Sequence, residues 1–536
     1  MNHKQAKMKA YLKVICILSF IIMSLSSCKN EQRSNSTTKD GAAHVPKFQE
    51  LSPTETGLSF SNNLDIEQLR PIFEYINGFD GGGVACGDFN NDGLTDVFFT
   101  GNFVDNKMYF NKGGMKFEDV SEKAGIVLKG SWCSGVATAD VNNDGFLDIY
   151  VCRNYYDSPQ LRENVLFINK GDGTFTDQAK QYGINDNAYT ITATFLDYNK
   201  DGLVDLMTGN HHPNRTRLFM DNYKDFLNPP HEYSTHLYKN NGNGTFSDVT
   251  KEANVQYFGW VLGLSACDFN NDGYTDIFVA VDHDEPDALF INDGNGKFTN
   301  QIYTAMYHIS MSSMGVDFSD INHDGFQDLV VAEMAAMSNF SEKANMASMD
   351  IQRFWNLTKL GYHYQYMRNM LHLNNGNNTF SEIGQLAGID RTEWSWSPLF
   401  FDADNDGEQD LFISNGYYKA IQFKDKYKPF NKKMSHEKDE KKKVEMVKEF
   451  LRSVNPIRVE NQFFRNNGDL TFSQLSKESG IANRATISTG AAYADFDNDG
   501  DIDLIVCNLD EPVSLYKNLE QENGNNNHYL RVKFEP

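Results

Sequence analysis

Asp88-Phe89-Asn90-Asn91-Asp92-Gly93-Leu94-Thr95-Asp96 is the first of seven copies of one nine-residue pattern in this chain. The copies begin at Asp88, Asp140, Asp197, Asp268, Asp320, Asp402 and Asp495. Position 3 is Asn90, Asn142, Asn199, Asn270, Asn322, Asp404 or Asp497. Position 5 is Asp92, Asp144, Asp201, Asp272, Asp324, Asp406 or Asp499, always followed by glycine. Position 9 is Asp96, Asp148, Asp205, Asp276, Asp328, Asp410 or Asp503. Alternate residues of a tight loop turn side-chain oxygens to one side, and the glycine permits the sharp bend. A hard cation such as Ca²⁺ takes roughly six to eight oxygens at about 2.3–2.6 Å. The backbone carbonyl of position 7 (Leu94, Phe146, Leu203, Tyr274, Phe326, Glu408 and Asp501) adds a further ligand, and the position 9 aspartate closes the shell. The predicted cofactor is Ca²⁺, up to seven per chain. An EF-hand closes with a glutamate at position 12 between helices; here closure comes at position 9, between strands.

The flanks supply that context. Apolar runs precede and follow each loop, as in Ser134–Ala139 before Asp140 and Asp148–Cys152 after it, which predicts a β-hairpin. A second element recurs downstream: Leu166–Phe175, Leu237–Phe246 and Leu289–Phe298 each carry Asn-x-Gly-x-Gly between β-formers. Weaker copies begin at Met108, Leu371 and Phe463. Each unit then holds four strands, and loop starts lie 52 to 93 residues apart. Four-stranded units repeated at that interval predict an all-β, seven-bladed propeller over residues 45–520. The seventh unit lacks an outer strand after Asn518. Phe48–Leu58 resembles the outer strand and exit of the first blade, Phe117–Ile126, and is expected to complete the ring.

Lys4, Lys7, Lys9 and Lys13 precede a short apolar run, Val14–Met23, which reads as an export signal over residues 1–27. Leu25-Ser26-Ser27-Cys28 resembles a bacterial lipobox, implying lipidation of Cys28, and residues 28–44 read as a polar tether. The expected location is the cell envelope, lipid-anchored in the outer membrane. Net charge is −24, and the seven loops account for much of that acidity. Nucleic-acid binding is excluded as a reading, since it needs basic surface. Five cysteines remain beyond the signal (Cys86, Cys133, Cys152, Cys267 and Cys507), with no disulfide framework.

The loops resemble those of FG-GAP/VCBS repeats, shared with integrin α-subunit propellers and cartilage acidic protein. Gly361–Met367 and Glu393–Trp396 resemble large Bacteroidetes VCBS lipoproteins. Those continue into an ASPIC/UnbV domain, whose opening phrase Asn527–Lys533 resembles; residues 521–536 are expected to be a truncated start of it.

Two insertions interrupt the repeats. Residues 334–370 are expected to be helical and to pack across a face, or to form a lid. Residues 416–460 are rich in lysine, and Val444, Val447, Phe450 and Leu451 give Ser435–Ser453 a helical stripe, read as a solvated helix. Eight residues before four of the loops stand Trp132, Tyr189, Trp260 and Trp394, at the starts of inner strands. The same face should receive Arg153, Tyr155, His211, His212, Arg215 and His283. In the resembling integrin propellers that face binds ligand. Packing between blades is the default use of the four rings, and contact with a sugar the alternative. The preferred function is a non-enzymatic, calcium-stabilised binding or adhesion module for glycan or protein. A propeller-type polysaccharide lyase and a structural scaffold of an outer-membrane complex are the other two readings.

Overall fold

The computed structural model describes residues 44–69, 75–212, 230–344, 350–524, 527 and 529. The expected signal, Cys28 and nearly all of the tether lie outside the described residues, as do Arg215 and residues 530–536.

Seven antiparallel sheets follow one another along the chain. Blade 1 consists of Val84–Gly87, Asp96–Phe99, Lys107–Asn111 and Phe117–Asp119. Each nine-residue loop joins the first strand of a blade to the second, as Ala139↔Asp148 and Cys267↔Asp276 show. First strands of consecutive blades lie side by side all the way round, and Ser488–Ala494 of blade 7 returns to Val84–Gly87 of blade 1. The ring closes as expected: Phe48–Leu51 is the outer strand of blade 7, paired antiparallel with Ser514–Asn518 from Phe48↔Asn518 to Leu51↔Leu515. Arg484 clamps the new strand from the side, with both oxygens of Glu50 within 3.1 Å.

The core lies between blades. Second strands such as Asp276–Asp282 are buried along their whole length, because each is covered by a neighbouring blade on either face. Phe98 and Met108 of blade 1 share a cluster with Ile149, Val151 and Phe167 of blade 2, and comparable clusters fill the other interfaces. All five cysteines are free and buried or half-buried. First strands line a central channel of about 270 Å³. Gly315 is needed there: a Cβ on it would lie 2.0 Å from the Trp396 carbonyl oxygen of the next blade.

Blade 6 departs from the four-stranded expectation. Its first strand, Glu393–Phe401, runs nine residues, and its leading pair gains an extra partner in Met334–Ala335. The first insertion is therefore part strand, with helices at Asn339–Ala344 and Ile351–Lys359 and a parallel pairing of Gln365–Tyr366 to Ile309–Ser310. The second insertion is helical at Lys424–Met434 and Glu440–Ser453. The latter is not a solvated helix, for Val447, Phe450 and Leu451 are buried.

One asparagine per blade ties the ring together. The third strands end at Asn111, Asn169, Asn240, Asn292, Asn374, Asn466 and Asn518, whose backbone N–H groups donate to Oδ1 of the position 9 aspartates at 2.7–2.8 Å. Their side-chain amides donate to a carbonyl in the preceding blade at 2.8–3.1 Å, as from Asn292 to Tyr198 and, across the closure, from Asn111 to Phe496. Asn292 also reaches the Thr275 carbonyl and accepts from Gly294 N–H, so its amide is engaged on both sides.

Two outcomes follow for stability. Asn292→Ala strands buried polar groups in two blades and should cost about 1–3 kcal/mol in denaturant unfolding; a loss indistinguishable from zero would remove the residue's structural role. Truncation before Ser52 deletes the outer strand of blade 7 and exposes a sheet edge, which should drive self-association. A truncated chain that stays monomeric at native stability contradicts the closure.

Candidate functional site

The nine-residue loops form one face of the ring. In blade 2, Asp140 Oδ1 and Oδ2 accept from Asp144 N–H at 3.0 Å and Gly145 N–H at 2.7 Å. Asp144 Oδ1 accepts from Phe146 N–H at 3.0 Å, and Asn142 Oδ1 from Asp144 N–H at 3.1 Å. Blades 1, 3, 4 and 5 repeat this set, as at Asp88, Asp197, Asp268 and Asp320. Oxygens that bond inside a nine-residue turn are converged on its interior. The backbone is left-handed not only at position 6, as at Gly145 (φ 87°), but also at position 4, as at Asn143 (φ 56°). Asparagine tolerates that region better than other non-glycine residues. Some position 4 amides also reach the next loop, as Asn91 does to the Gly145 carbonyl at 3.0 Å.

Position 9 carries a second duty. Its Oδ2 accepts from the position 2 N–H, as Asp148 does from Val141 at 3.0 Å, while Oδ1 takes the asparagine bond described above. Burial, with Asp140 and Asp144 close by, pushes the Asp148 carboxyl up to about 7. Asp96, Asp205, Asp276 and Asp328 rise similarly, and Asp503 to about 8. A carboxylate oxygen has two lone pairs, so one on each remains for an ion. In blades 1–5 the donors are all oxygen, three of them carboxylates, and this set fits a hard divalent cation. Asp140, Asn142, Asp144 and Asp148, with the Phe146 carbonyl, would hold it in blade 2. The ion would neutralise the carboxylates that the fold crowds together.

The opposite face is capped. Leu64, Leu69, Tyr75 and Phe79 from the N-terminal segment and Val447 and Leu451 from the helix Glu440–Ser453 share one apolar cluster with Trp132, Tyr189 and Trp394. Lys448 donates to the Glu67 carbonyl at 3.0 Å, fixing helix to segment. Trp132, Tyr189, Trp260 and Trp394 are 1 %, 5 %, 1 % and 3 % exposed. Trp132 stacks on Tyr155 at 4.2 Å between ring centres, Trp394 on Tyr417 at 3.8 Å and Trp260 on His211 at 4.3 Å. The Arg162 guanidinium lies over Tyr189 at 3.9 Å. The four rings are thus brought to one face and used there for packing.

The polar candidates on that face are also engaged. Arg153 donates to the Glu163 carbonyl and to Ser131 Oγ. His211 is buried, which pushes its pKa down to about 3, and its ring nitrogens contact Tyr75 OH at 3.2 Å and the His212 carbonyl at 2.9 Å. An enclosed imidazole that binds its proton this weakly is a poor candidate for a lyase base. His212 packs edge-on against Tyr233, and His283 lies beside Asp282 at 3.3 Å. Beyond Asp282, Glu333 Oε2 accepts from Ser310 Oγ and the Met311 and Ser312 N–H groups, with burial pushing the carboxyl up to about 8.

Sequence reasoning missed a third place. The helix Ile302–Ala305, its following turn and Gly361–Tyr364 enclose a cavity of about 470 Å³ at the rim of blade 5. Tyr303, Tyr307 and Tyr364 edge it and are 48 %, 89 % and 49 % exposed. Thr304, Thr358, Asn375, Thr379 and Ser381 add hydroxyl and amide groups. The signal was present in the Tyr-rich run 361–367, but nothing in the sequence tied it to Tyr303.

Comparison with known proteins agrees with this architecture. The family described as FG-GAP-like repeat matches residues 88–151, 155–208, 220–279, 268–331, 361–413 and 454–522. Cartilage acidic protein 1 of Xenopus tropicalis is 26% identical over 219 residues, covering 38% of this chain and 29% of that protein. The Homo sapiens protein of that name is 30% identical over 159 residues, covering 27% and 23%. The chain thus spans less than a third of the length of these relatives. Among solved structures, an Agrocybe aegerita lectin recognising non-reducing terminal N-acetylglucosamine aligns with a TM-score of 0.37 and 14% identity over 74% of this chain and 79% of its own. The V. cholerae biofilm matrix protein aligns with 0.39 and 10% identity over 88% and 91%. The matching family is a repeat family and not an enzyme family. With seven loops, seven blades and matches over most of its length, the chain belongs to the FG-GAP-like repeat family.

Proposed function

We propose that this chain is a calcium-stabilised, non-enzymatic binding module of the bacterial cell envelope, anchored through lipidated Cys28, whose ligand is a glycan. The observation that carries the binding reading is the cavity edged by Tyr303, Tyr307 and Tyr364. Exposed apolar rings grouped around one groove, unlike singly scattered ones, mark contact sites. An aromatic face stacks on the C–H face of a sugar, while hydroxyl and amide groups such as those of Thr358 and Asn375 bond its hydroxyls. The acidic, oxygen-only loops of blades 1–5 support the calcium reading.

Two measurements test these parts separately. Tyr307→Ala and Tyr364→Ala should each weaken binding on a glycan array by about tenfold or more, an energy of about 1.4 kcal/mol, and leave the melting temperature unchanged. Unaltered binding in both variants would remove this cavity as the ligand site. Removing metal with EDTA should lower the melting temperature by several degrees, and Ca²⁺ near its expected Kd of roughly 10⁻⁴–10⁻³ M should restore it. A melting curve indifferent to both reagents defeats the calcium reading.

A further inference from the structure

The seven ion loops are of two kinds. In blades 1–5 position 3 is asparagine and the position 5 aspartate is exposed. In blades 6 and 7 position 3 is aspartate (Asp404, Asp497) and position 7 is acidic as well (Glu408, Asp501), so each loop carries five carboxylates against three, and its position 5 aspartate is half-buried. Those loops hold close carboxylate groups: Asp402, Asp404 and Asp406 offer oxygens within 4.8 Å of one another, as do Asp495, Asp497 and Asp503.

While Glu408 lies 3.2 Å from His323, the position 3 and 5 carboxylates have a partner at a single strand position, the residue before the bridging asparagine. That residue is Phe110, Ile168, Ile291 or Leu373 in blades 1, 2, 4 and 5, but Arg465 in blade 6 and Lys517 in blade 7. Arg465 bridges the two loop aspartates, with Nη2 2.6 Å from Asp406 Oδ2 and Nε 3.2 Å from Asp404 Oδ2. Lys517 Nζ lies 2.5 Å from Asp497 Oδ2, 3.3 Å from Asp499 Oδ2 and 2.7 Å from Glu522 Oε1. In blade 3 Lys239 makes a lesser contact, reaching Asp201 alone at 3.2 Å with both side chains about one-third exposed.

A second observation separates the same two loops. Residues 519–524, Asn527 and Tyr529 lie against them: Gln521 N–H donates to Asp501 Oδ2 at 2.7 Å, Asn527 Nδ2 to the Asp404 carbonyl at 2.8 Å, and the Tyr529 ring sits against Gly500. Asp404 and Asp501 are buried beneath this cover. Charge pairs out of water are screened less than those on the surface. A divalent ion entering either loop would compete with a fixed positive group for the position 3 and 5 oxygens and lie within a few ångströms of it.

We propose that Arg465 and Lys517 replace the divalent ion in blades 6 and 7, so that the chain takes five Ca²⁺ and its closing pair of blades keeps its loops without metal. This rests on the calcium reading of the loops and sharpens it. The metal-dependent part of the ring is the arc from blade 1 to blade 5. The strand Phe48–Leu51, which closes blade 7, is joined to a blade that carries its own cation.

The test is the number of Ca²⁺ held by the purified protein in native mass spectrometry, with hydrogen exchange in EDTA to locate the sites. Five ions are expected, and metal removal should release the amides of Asp92, Gly93, Asp272 and Gly273 while Asp406, Gly407, Asp499 and Gly500 stay protected. Arg465→Met with Lys517→Met should raise the count towards seven. If that variant does not fold, the exchange pattern of the unmodified chain decides. Six or seven ions in the unmodified chain, or equal loss of protection in all seven loops, overturn the proposal and leave the calcium reading standing. No bound ion at all overturns both.

Discussion

The position 9 carboxylate is the point where loop, sheet and ring are fastened together. One oxygen holds the loop's own second residue, the other holds the asparagine that ends the third strand, and that asparagine bonds the blade before it. Neither loop nor blade interface can take its shape without the other. Burial makes the ionised form costly in the absence of a counter-charge, which explains the rise of these carboxyls towards neutrality. On the reading proposed above, an ion in the loop would supply that charge in blades 1–5, whereas Arg465 and Lys517 face the position 3 and 5 aspartates and leave the Asp410 and Asp503 carboxyls raised.

The large-scale fold was legible because it rests on repetition. A nine-residue pattern kept seven times reveals the loops, their alternating flanks reveal the hairpins, and the missing outer strand pointed to Phe48–Leu51. The bridging asparagines were visible, and their Asn-x-Gly turns were read correctly as hairpins, but a bond to a residue such as Tyr198, 94 positions away, leaves no local mark. The fifth strand of blade 6 was hidden similarly, since Met334–Ala335 is too short to show a period. The stripe on Glu440–Ser453 was read correctly as a helix, but its partners near Leu64 and Glu67 lie almost four hundred residues earlier in the chain.

The two faces have been put to different use. One is a set of acidic hairpins, open over five blades and covered over two. The other is sealed by the cap, which turns an aromatic set that could have met a ligand into a packed cluster with each tryptophan stacked on a ring from a neighbouring loop. Exposed aromatic surface is instead found at the rim of blade 5, where the insertion brings Tyr364 beside Tyr303 and Tyr307 from the exit of blade 4. Repeats make the scaffold, and the irregular segments distinguish its surfaces.

The place of the closing strand also has a mechanical consequence. Force applied through the residues before Lys47 enters the ring at Phe48, the first residue of the strand that closes it. It meets the bonds of Lys47 carbonyl to Leu519 and of Phe48 N–H to Ser479, and then four residue pairs with Ser514–Asn518. A pull along the strand loads those pairs together, in shear; a pull across it loads them one at a time. The ring's resistance to being opened from that end therefore depends on direction, and its weakest axis is the one that peels Phe48 outward from blade 7.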